Sequence, residues 1–460
     1  MTECSEHELR LEGPGKRSLV ARFDGGRISS DGGALLLHAV EQRTRIVERF
    51  ARCFSDYRDA ARVDHSVAEL ARQRVFGLCL GYEDVSDHDT LRDDPLLAAV
   101  AGKHSSGAFL AGKSTFSRLE LSTGADAASD RYKRVALRSE DVDGLLVDVF
   151  LERFPEAPAS IVIDLDTTDF ELHGRQEGRF FHGYYDEFCY LPLYVFCGDH
   201  LLCARLRMAD RDASDGAKDE IERIVRQIRA RWPSTRITLR ADSGFCRDEL
   251  MSWCERERVD YVFGIARNAR LIEEASYTMG LAAMDFAATG KASRRFCEIE
   301  YRTIDSWSRS RRVVAKAEYI AGKENPRFVV TSISHEELDA RQLYEDLYCA
   351  RGEMENRIKE QQHDLFAGRV SAPTMTANQV RLYFASIAYT LMRALREYGL
   401  AGSELERAQC GTIRLRLLKI GAQIKVSVRR VRVALSQAFP LQQLFAQVIA
   451  KLAPPRVSTA

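Results

Sequence analysis

The sequence has no uncharged apolar run of the length that a bilayer-spanning helix needs, which argues against a membrane protein. Its start, with Thr2, Glu3, Cys4 and Glu6, lacks the basic-then-apolar layout of a signal peptide, so a cytoplasmic location is expected. No C-x-x-C pair occurs among the 11 cysteines, and their number is odd. Reduced core thiols therefore fit better than a disulfide framework or a structural zinc site. No internal repeat or low-complexity tract is evident. Acidic residues are also missing from everything beyond Glu406, although the whole chain carries 67 acidic and 67 basic residues.

That last absence uncovers an asymmetry. The segment after Glu406 holds Arg407, Arg414, Arg416, Lys419, Lys425, Arg429, Arg430, Arg432, Lys451 and Arg456, a net +10, and residues 1–406 hold 57 basic against 67 acidic residues, a net −10. A basic segment on an acidic body is a candidate for contact with a phosphate backbone. It is equally a candidate for packing on acidic helices of the same protein. At 460 residues, 45% hydrophobic and 29% charged, the chain reads as a soluble globular protein of two or three domains.

Residues 1–155 read as mainly helical. Ala34–Leu37 through Val40, Ile46, Val47 and Phe50 repeats at helical spacing after the start signal Ser29-Ser30-Asp31-Gly32, Val67–Leu80 does so again, and a third helix covers Val142–Phe154. Asp87-His88-Asp89 reads as a polar turn or helix start, with a metal site as the minor alternative. From residue 156 the pattern changes. An apolar strand, Ile161 to Asp166, precedes strand-like Tyr190–Cys197 and Leu201–Met208, an amphipathic helix Asp215–Trp232, strand Ile237–Ala241, helix Arg247–Arg256 and strand Tyr261–Ile265. Three sequential strands followed by strand-helix-strand units are the order of a ribonuclease-H-like mixed sheet. The expected fold is therefore α/β. A helical region (1–155) precedes the first part of the core (156–269), then come a β-rich insertion (270–340), a helical part that completes the core (341–400) and a basic carboxyl-terminal region (401–460).

Several residues stand out as carriers of chemistry. Asp164 and Asp166, two apart on a strand, point to one face near its carboxyl end. Buried carboxylates on an apolar strand are costly unless a cation or hydrogen-bond donors satisfy them. Asp242, before Ser243-Gly244, ends another strand, where sites form in α/β sheets, although an Asp there also caps the next helix. Tyr348, Arg351, Glu355 and Lys359 recur at i, i+3, i+7 and i+11, one helical face, for which the bland reading is a solvated charged surface. Acids on two strands and a later helix, if brought together, suit magnesium or manganese. Two such ions are able to activate a water or a 3′-hydroxyl and stabilise the leaving oxygen. His173 and His182 flank a glycine-rich connection and read as loop hydrogen-bonding residues, and Trp307 reads as core, with base stacking as its alternative.

Together these residues resemble the DDE transposases of bacterial insertion sequences, in the group marked by Y-x2-R-x3-E-x6-K. Tyr348, Arg351 and Glu355 match that spacing; Gln362 stands where the pattern has Lys, and Lys359, one helical turn after Glu355, offers a positive charge instead. Asp166-Thr167-Thr168 looks like the first-acid motif of the group, and Asp242 before Ser243-Gly244-Phe245 looks like the second. The resemblance implies a catalytic, metal-holding triad of Asp166, Asp242 and Glu355, with Tyr348, Arg351 and Lys359 on the DNA. It further implies two Mg2+ or Mn2+ ions, cleavage and strand transfer at terminal inverted repeats, double-stranded DNA as partner both at the element ends and at the target, and a homodimer in the synaptic complex of a nucleoid-associated bacterial protein.

Two other readings compete. Asp164-Leu-Asp166-Thr-Thr168 also satisfies D-x-D-x-T, the nucleophile motif of haloacid-dehalogenase-like phosphatases, with Asp164 attacking phosphorus and Asp166 as general acid. The other is a catalytically inactive relic that still binds DNA.

Overall fold

The computed structural model describes residues 8–13, 17–103, 109–122 and 127–453. Two compact units share the chain, one of Met1–Leu119, Ala127–Val135 and Ile387–Ala460, the other of Glu120–Asp126 and Ala136–Ser386. Among the described residues no helix is long and apolar enough to cross a membrane.

In the second of these units, helix α1 (Ser139–Glu152) leads to strand β1 (Ser160–Thr167). There follow β2 (Leu193–Cys197), β3 (His200–Arg205), α2 (Ala217–Arg231), β4 (Arg236–Ala241), α3 (Asp248–Glu257), β5 (Asp260–Ile265), α4 (Ser276–Thr289), β6 (Ser293–Tyr301), β7 (Arg311–Ile320) and β8 (Arg327–Thr331). Among the described residues these strands and the short Lys323–Glu324 form one nine-stranded mixed sheet, in the order β3-β2-β1-β4-β5-β8-β7-β6. β1 runs antiparallel to β2 and parallel to β4, and β4 runs parallel to β5. The alternating runs expected in a β-rich insertion supply β6, β7 and β8, which continue the same sheet. β8 pairs antiparallel along β5 and satisfies backbone groups that would otherwise be an open edge.

The period of two in β1 sorts its side chains. Ile161, Ile163 and Leu165 join a buried cluster with Val147 and Phe150 of α1 and with Ile237 and Leu239 of β4, so this face of the sheet is covered by helices. Asp164 and Asp166 lie on the opposite face. Helix α2 shows why its sequence docks: Ile221, Ile224, Val225 and Ile228 form one buried stripe, with Asp219 and Glu220 in the first turn and Arg229 and Arg231 in the last. Those charges oppose the helix dipole at both ends. Burial of each stripe residue contributes at most about 1.5–3 kcal/mol. Trp307 sits in this core, 4% exposed and edge-on to Tyr301 at 5.7 Å, which leaves it no face for stacking a base.

The other unit is helical around Ala34–Thr44, Ile46–Arg52, Val67–Leu80 and Gln442–Leu452. Helix Val67–Leu80 starts in a reciprocal capping box of Ser66 and Glu69 and stops at Gly81, whose φ of 96° only glycine adopts readily. His88 is fully buried, its Nδ1 3.0 Å from Gln73 Nε2 and its ring against Phe116 at 4.3 Å. Asp87 and Asp89 instead accept the backbone N–H groups of Asp84 and Lys113 at 2.9 Å, so this trio is local scaffolding. The run 423–435, which alternates in sequence like a single strand, folds back as a hairpin of Ala422–Val426 and Val431–Leu435, and Ile28–Ser29 pairs beside it.

Candidate functional site

Asp164 and Asp166 share a face of β1 but not an environment. Asp164 stands opposite Arg240 in the β1/β4 register. The guanidinium grips both carboxylate oxygens, at 2.5 Å and 2.8 Å, and also donates to the Leu347 carbonyl. With side chains only 9% and 5% exposed, Arg240 and Asp164 form a buried, bidentate pair. Burial still pushes the Asp164 carboxyl above its ordinary pKa, opposed by the Arg240 bonds. Asp166, nearer the carboxyl end of the strand, accepts the Thr167 N–H on Oδ1 at 2.9 Å and Arg351 Nη1 on Oδ2 at 2.8 Å. Its pKa is pushed up to about 6, chiefly by burial; the Arg351 charge opposes this, and the Asp242 and Glu355 charges add to it.

Asp242 follows the last residue of β4. Its Oδ1 accepts the Gly244 N–H at 2.8 Å and caps the single turn Ser243–Phe245. The capping reading of this residue therefore holds for one oxygen, while Oδ2 accepts no protein hydrogen bond among the described residues. Beside it, Gly264 of β5 is a residue that sequence reasoning missed. A Cβ there would lie 2.7 Å from the Tyr348 hydroxyl, 3.0 Å from Ser243 N and 3.3 Å from the Asp242 carbonyl carbon. The only sequence signal is a glycine inside a strand pattern, which marks a close approach.

The helical stretch from Ala340 to Asp364 changes its hydrogen-bond spacing repeatedly. It is α over Ala340–Gln342, π over Leu343–Tyr348, 3-10 over Cys349–Arg351, α over Gly352–Lys359 and π over Glu360–Asp364, with αR backbone at each junction. Leu343 and Tyr344 pack against Val262, Val314 and Val329, on the face of the sheet that carries the aspartates. The wide and tight turns interrupt the regular α period along this stretch, and Arg351 and Glu355 still meet at i,i+4. Tyr348 packs along this cluster, and burial raises its hydroxyl pKa. Arg351 spans Asp166 and Glu355, the latter 3.2 Å away through Nη2, and Glu355 is 48% exposed. Lys359 is exposed and has no side-chain partner among the described residues. Gln362, in the position the resemblance would give to Lys, donates to Thr168 Oγ1 and to the Asp169 carbonyl, both at 3.1 Å. It thus ties the chain that leaves the Asp166 strand to the helix that carries Glu355.

Asp166, Asp242 and Glu355 gather around one arginine rather than around a preassembled cage. Among the described residues no group of three or more His, Cys, Asp or Glu side chains is disposed to hold a metal ion. The donor set is nevertheless hard oxygen, and burial, with a smaller contribution from the Asp242 and Glu355 charges, disfavours the Asp166 carboxylate in a way that a divalent cation would relieve. Arg351 supplies the positive charge in this arrangement. The histidines flanking the glycine-rich connection are engaged locally, His173 near Glu171 at 3.4 Å and His182 against the Tyr185 ring at 5.1 Å.

Comparison with known proteins adds the family. No curated protein matches this chain. Among solved structures, the chain is similar to that in the cryo-EM structure of a piggyBac transposase synaptic complex with hairpin DNA, at 12% identity and a TM-score of 0.42, over 94% of this chain and 87% of that one. The family model described as "Transposase DDE domain group 1" matches residues 12–457. Because that match runs over nearly the entire sequence, the chain belongs to the DDE-domain transposases.

Proposed function

We propose that this protein is the transposase of a bacterial insertion sequence. It would bind the terminal inverted repeats of its element, hydrolyse the phosphodiester at each end and join the freed 3′-hydroxyl to target DNA. The sheet order β3-β2-β1-β4-β5, with β3, β2 and β1 antiparallel and β1, β4 and β5 parallel, supports a ribonuclease-H-like core. The proposed division is a helical region at 1–155, the core at 156–269 and 341–400 around a β-rich stretch at 270–340, and a basic region at 401–460. Two element ends must be held together, so the working species is proposed to be a homodimer on DNA, in the cytoplasm at the nucleoid.

The proposed site is the triad Asp166, Asp242 and Glu355. The observation that carries it is the buried Asp166 carboxyl, held by Arg351, which also bonds Glu355, at the carboxyl end of a strand whose parallel neighbour leads directly into Asp242. Two Mg2+ or Mn2+ ions, when bound, would supply nucleophile activation and charge neutralisation for in-line displacement at phosphorus. Asp166, Asp242 and Glu355 would hold them. Arg351, relieved of Asp166 and Glu355, would turn its fork to a non-bridging phosphate oxygen pair, and Tyr348 would donate from its hydroxyl beside Asp242. Lys359, exposed and unpaired among the described residues, would meet the DNA backbone. Asp164 does not fit the nucleophile of a phosphatase, because Arg240 occupies both its oxygens.

The test is cleavage of duplex carrying the element ends, in Mg2+ and in Mn2+, by Asp166→Asn, Asp242→Asn and Glu355→Gln. Each is expected to lose at least about a thousandfold in cleavage, the scale of a lost catalytic group, with duplex binding retained. Cleavage that survives in all three overturns the triad. Binding without cleavage by the unaltered protein, in either metal, leaves only the relic. Hydrolysis of p-nitrophenyl phosphate that depends on Asp164 would favour the phosphatase.

A further inference from the structure

The basic residues beyond Glu406 divide into two groups. Some are consumed within their own unit: Arg414 donates to the carbonyls of Leu78 and Cys79, Lys419 lies 2.6 Å from the buried Asp31, and Arg416 lies 2.5 Å from Glu404. Lys425, Arg429, Arg430 and Arg432 behave differently. All are exposed, and among the described residues none of their side chains has an acidic partner. They share one two-stranded ribbon, Ala422–Val426 with Val431–Leu435, turned at Ser427–Arg430 by backbone bonds between Ser427 and Arg430.

The register makes this distribution costly. Lys425 stands directly opposite Arg432, so two like charges face each other across the ladder on one side of the ribbon. Such pairs destabilise a hairpin unless an anion lies between or above them. Arg429 and Arg430 add two more charges in the adjoining turn, next to a fully exposed Val428. The base of the ribbon is fastened: Ala422 and Ile424 are buried, Ile28–Ser29 pairs along Ala422 and Gln423, and Gly32 donates to the Ile420 carbonyl at 2.8 Å. The cations therefore sit on an anchored, projecting element and not on a solvated tail.

We infer that the hairpin 422–435 is a DNA-docking ribbon that grips the phosphate backbone of duplex through Lys425, Arg429, Arg430 and Arg432. A two-stranded β-ribbon is narrow enough for the major groove, and phosphate oxygens spaced along the duplex would neutralise the Lys425–Arg432 pair from outside. The inference rests on reading the protein as one that handles DNA, and it names the surface that does so independently of the acidic site.

The experiment uses the full chain and a fluorescent 30-base-pair duplex of mixed sequence, with anisotropy measured across a series of salt concentrations. The variant K425A/R429A/R430A/R432A is expected to bind at least tenfold more weakly at about 0.1 M salt. Its slope of log affinity against log salt should be shallower by about 3–4, at about 0.9 for each phosphate that is no longer neutralised. K425R/R429K/R430K/R432K should keep the slope. An unchanged slope and affinity in the alanine variant overturns the inference, as does a changed sedimentation mass with unchanged DNA binding, which would mark a contact between copies of the chain. If the unaltered protein binds duplex but fails, in Mg2+ and in Mn2+, to cleave duplex carrying the element ends, the cleavage reading fails while the ribbon stands. If the unaltered protein binds no duplex at all, both fail.

Discussion

The middle of β1 and its carboxyl end hold the same side chain two residues apart, on the same face, and give it opposite work. At the middle, Asp164 meets Arg240 from the next strand in register, and both oxygens are satisfied. At the end, Asp166 has passed beyond the cover of β4 and finds its cation on a distant helix, in Arg351. A register partner comes with the strand pairing itself and stays for the life of the fold. A counterion delivered by a helix is independent of that pairing and, in the function proposed for this site, would be exchanged for metal and phosphate. One strand thus contains both an aspartate paired within the sheet and the one proposed for chemistry, and the end of the β1/β4 pairing separates them.

Breaking the fixed pair tests this contrast most severely. Arg240→Met should destabilise the protein by about 3–5 kcal/mol, because it leaves a buried, unpaired carboxylate, whereas the double variant D164L/R240M should recover most of that stability. Denaturant midpoints of the single and double variants measure it. If Arg240→Met unfolds no more readily than the parent, the pair is not structural and Asp164 returns as a candidate for chemistry.

The exchangeable end should respond in the other direction. The Asp166 pKa of about 6 lies above its unfolded value, so its protonated form stabilises the fold at low pH, and that contribution is lost as pH rises through about 6. Removing the charge with Asp166→Asn should therefore stabilise the protein at pH 8 by about 1–3 kcal/mol and have no effect near pH 4. Melting temperatures at the two pH values check this. Added Mg2+ should raise the melting temperature of the parent at pH 8 and not that of the variant. A variant less stable than the parent at pH 8 would mean that the Arg351 contact outweighs burial.

The smallest effect is expected at Gln362. Gln362→Ala removes two neutral hydrogen bonds to Thr168 and Asp169 and should cost about 1 kcal/mol, with faster amide exchange confined to the chain just after β1. Exchange that spreads to β4 would show that Gln362 supports the sheet rather than this one connection.

Much of the scaffold was legible because its signals are local. The Ile221-Ile224-Val225-Ile228 stripe and the helical spacing of Val67–Leu80 depend on residues within a turn or two, and the helices Ala217–Arg231 and Val67–Leu80 appear where those patterns place them. The shared face of Asp164 and Asp166 was legible for the same reason. Other features were not. Tyr348, Arg351, Glu355 and Lys359 keep regular spacing in sequence, and nothing in that spacing signals the π and 3-10 turns along the same stretch. The 423–435 alternation hid a turn because Ser427 to Arg430 carries no Gly, Asn or Pro signal.

By itself the sequence determined the element order, the alternation that puts two aspartates on one side of β1, the lack of acid beyond Glu406 and, through its motifs, the family. Each of these is set by neighbours along the chain. Only the tertiary structure decided which aspartate is neutralised by Arg240, 76 residues away. It also decided that Arg351 bridges Asp166 and Glu355, that Gly264 admits the Tyr348 hydroxyl, and that Lys419 turns inward to Asp31 while Lys425 and Arg432 face outward. The physical reason is common to all four. A charge or a cavity is satisfied by whatever strand pairing and packing bring beside it, and that partner leaves no mark at its own place in the sequence.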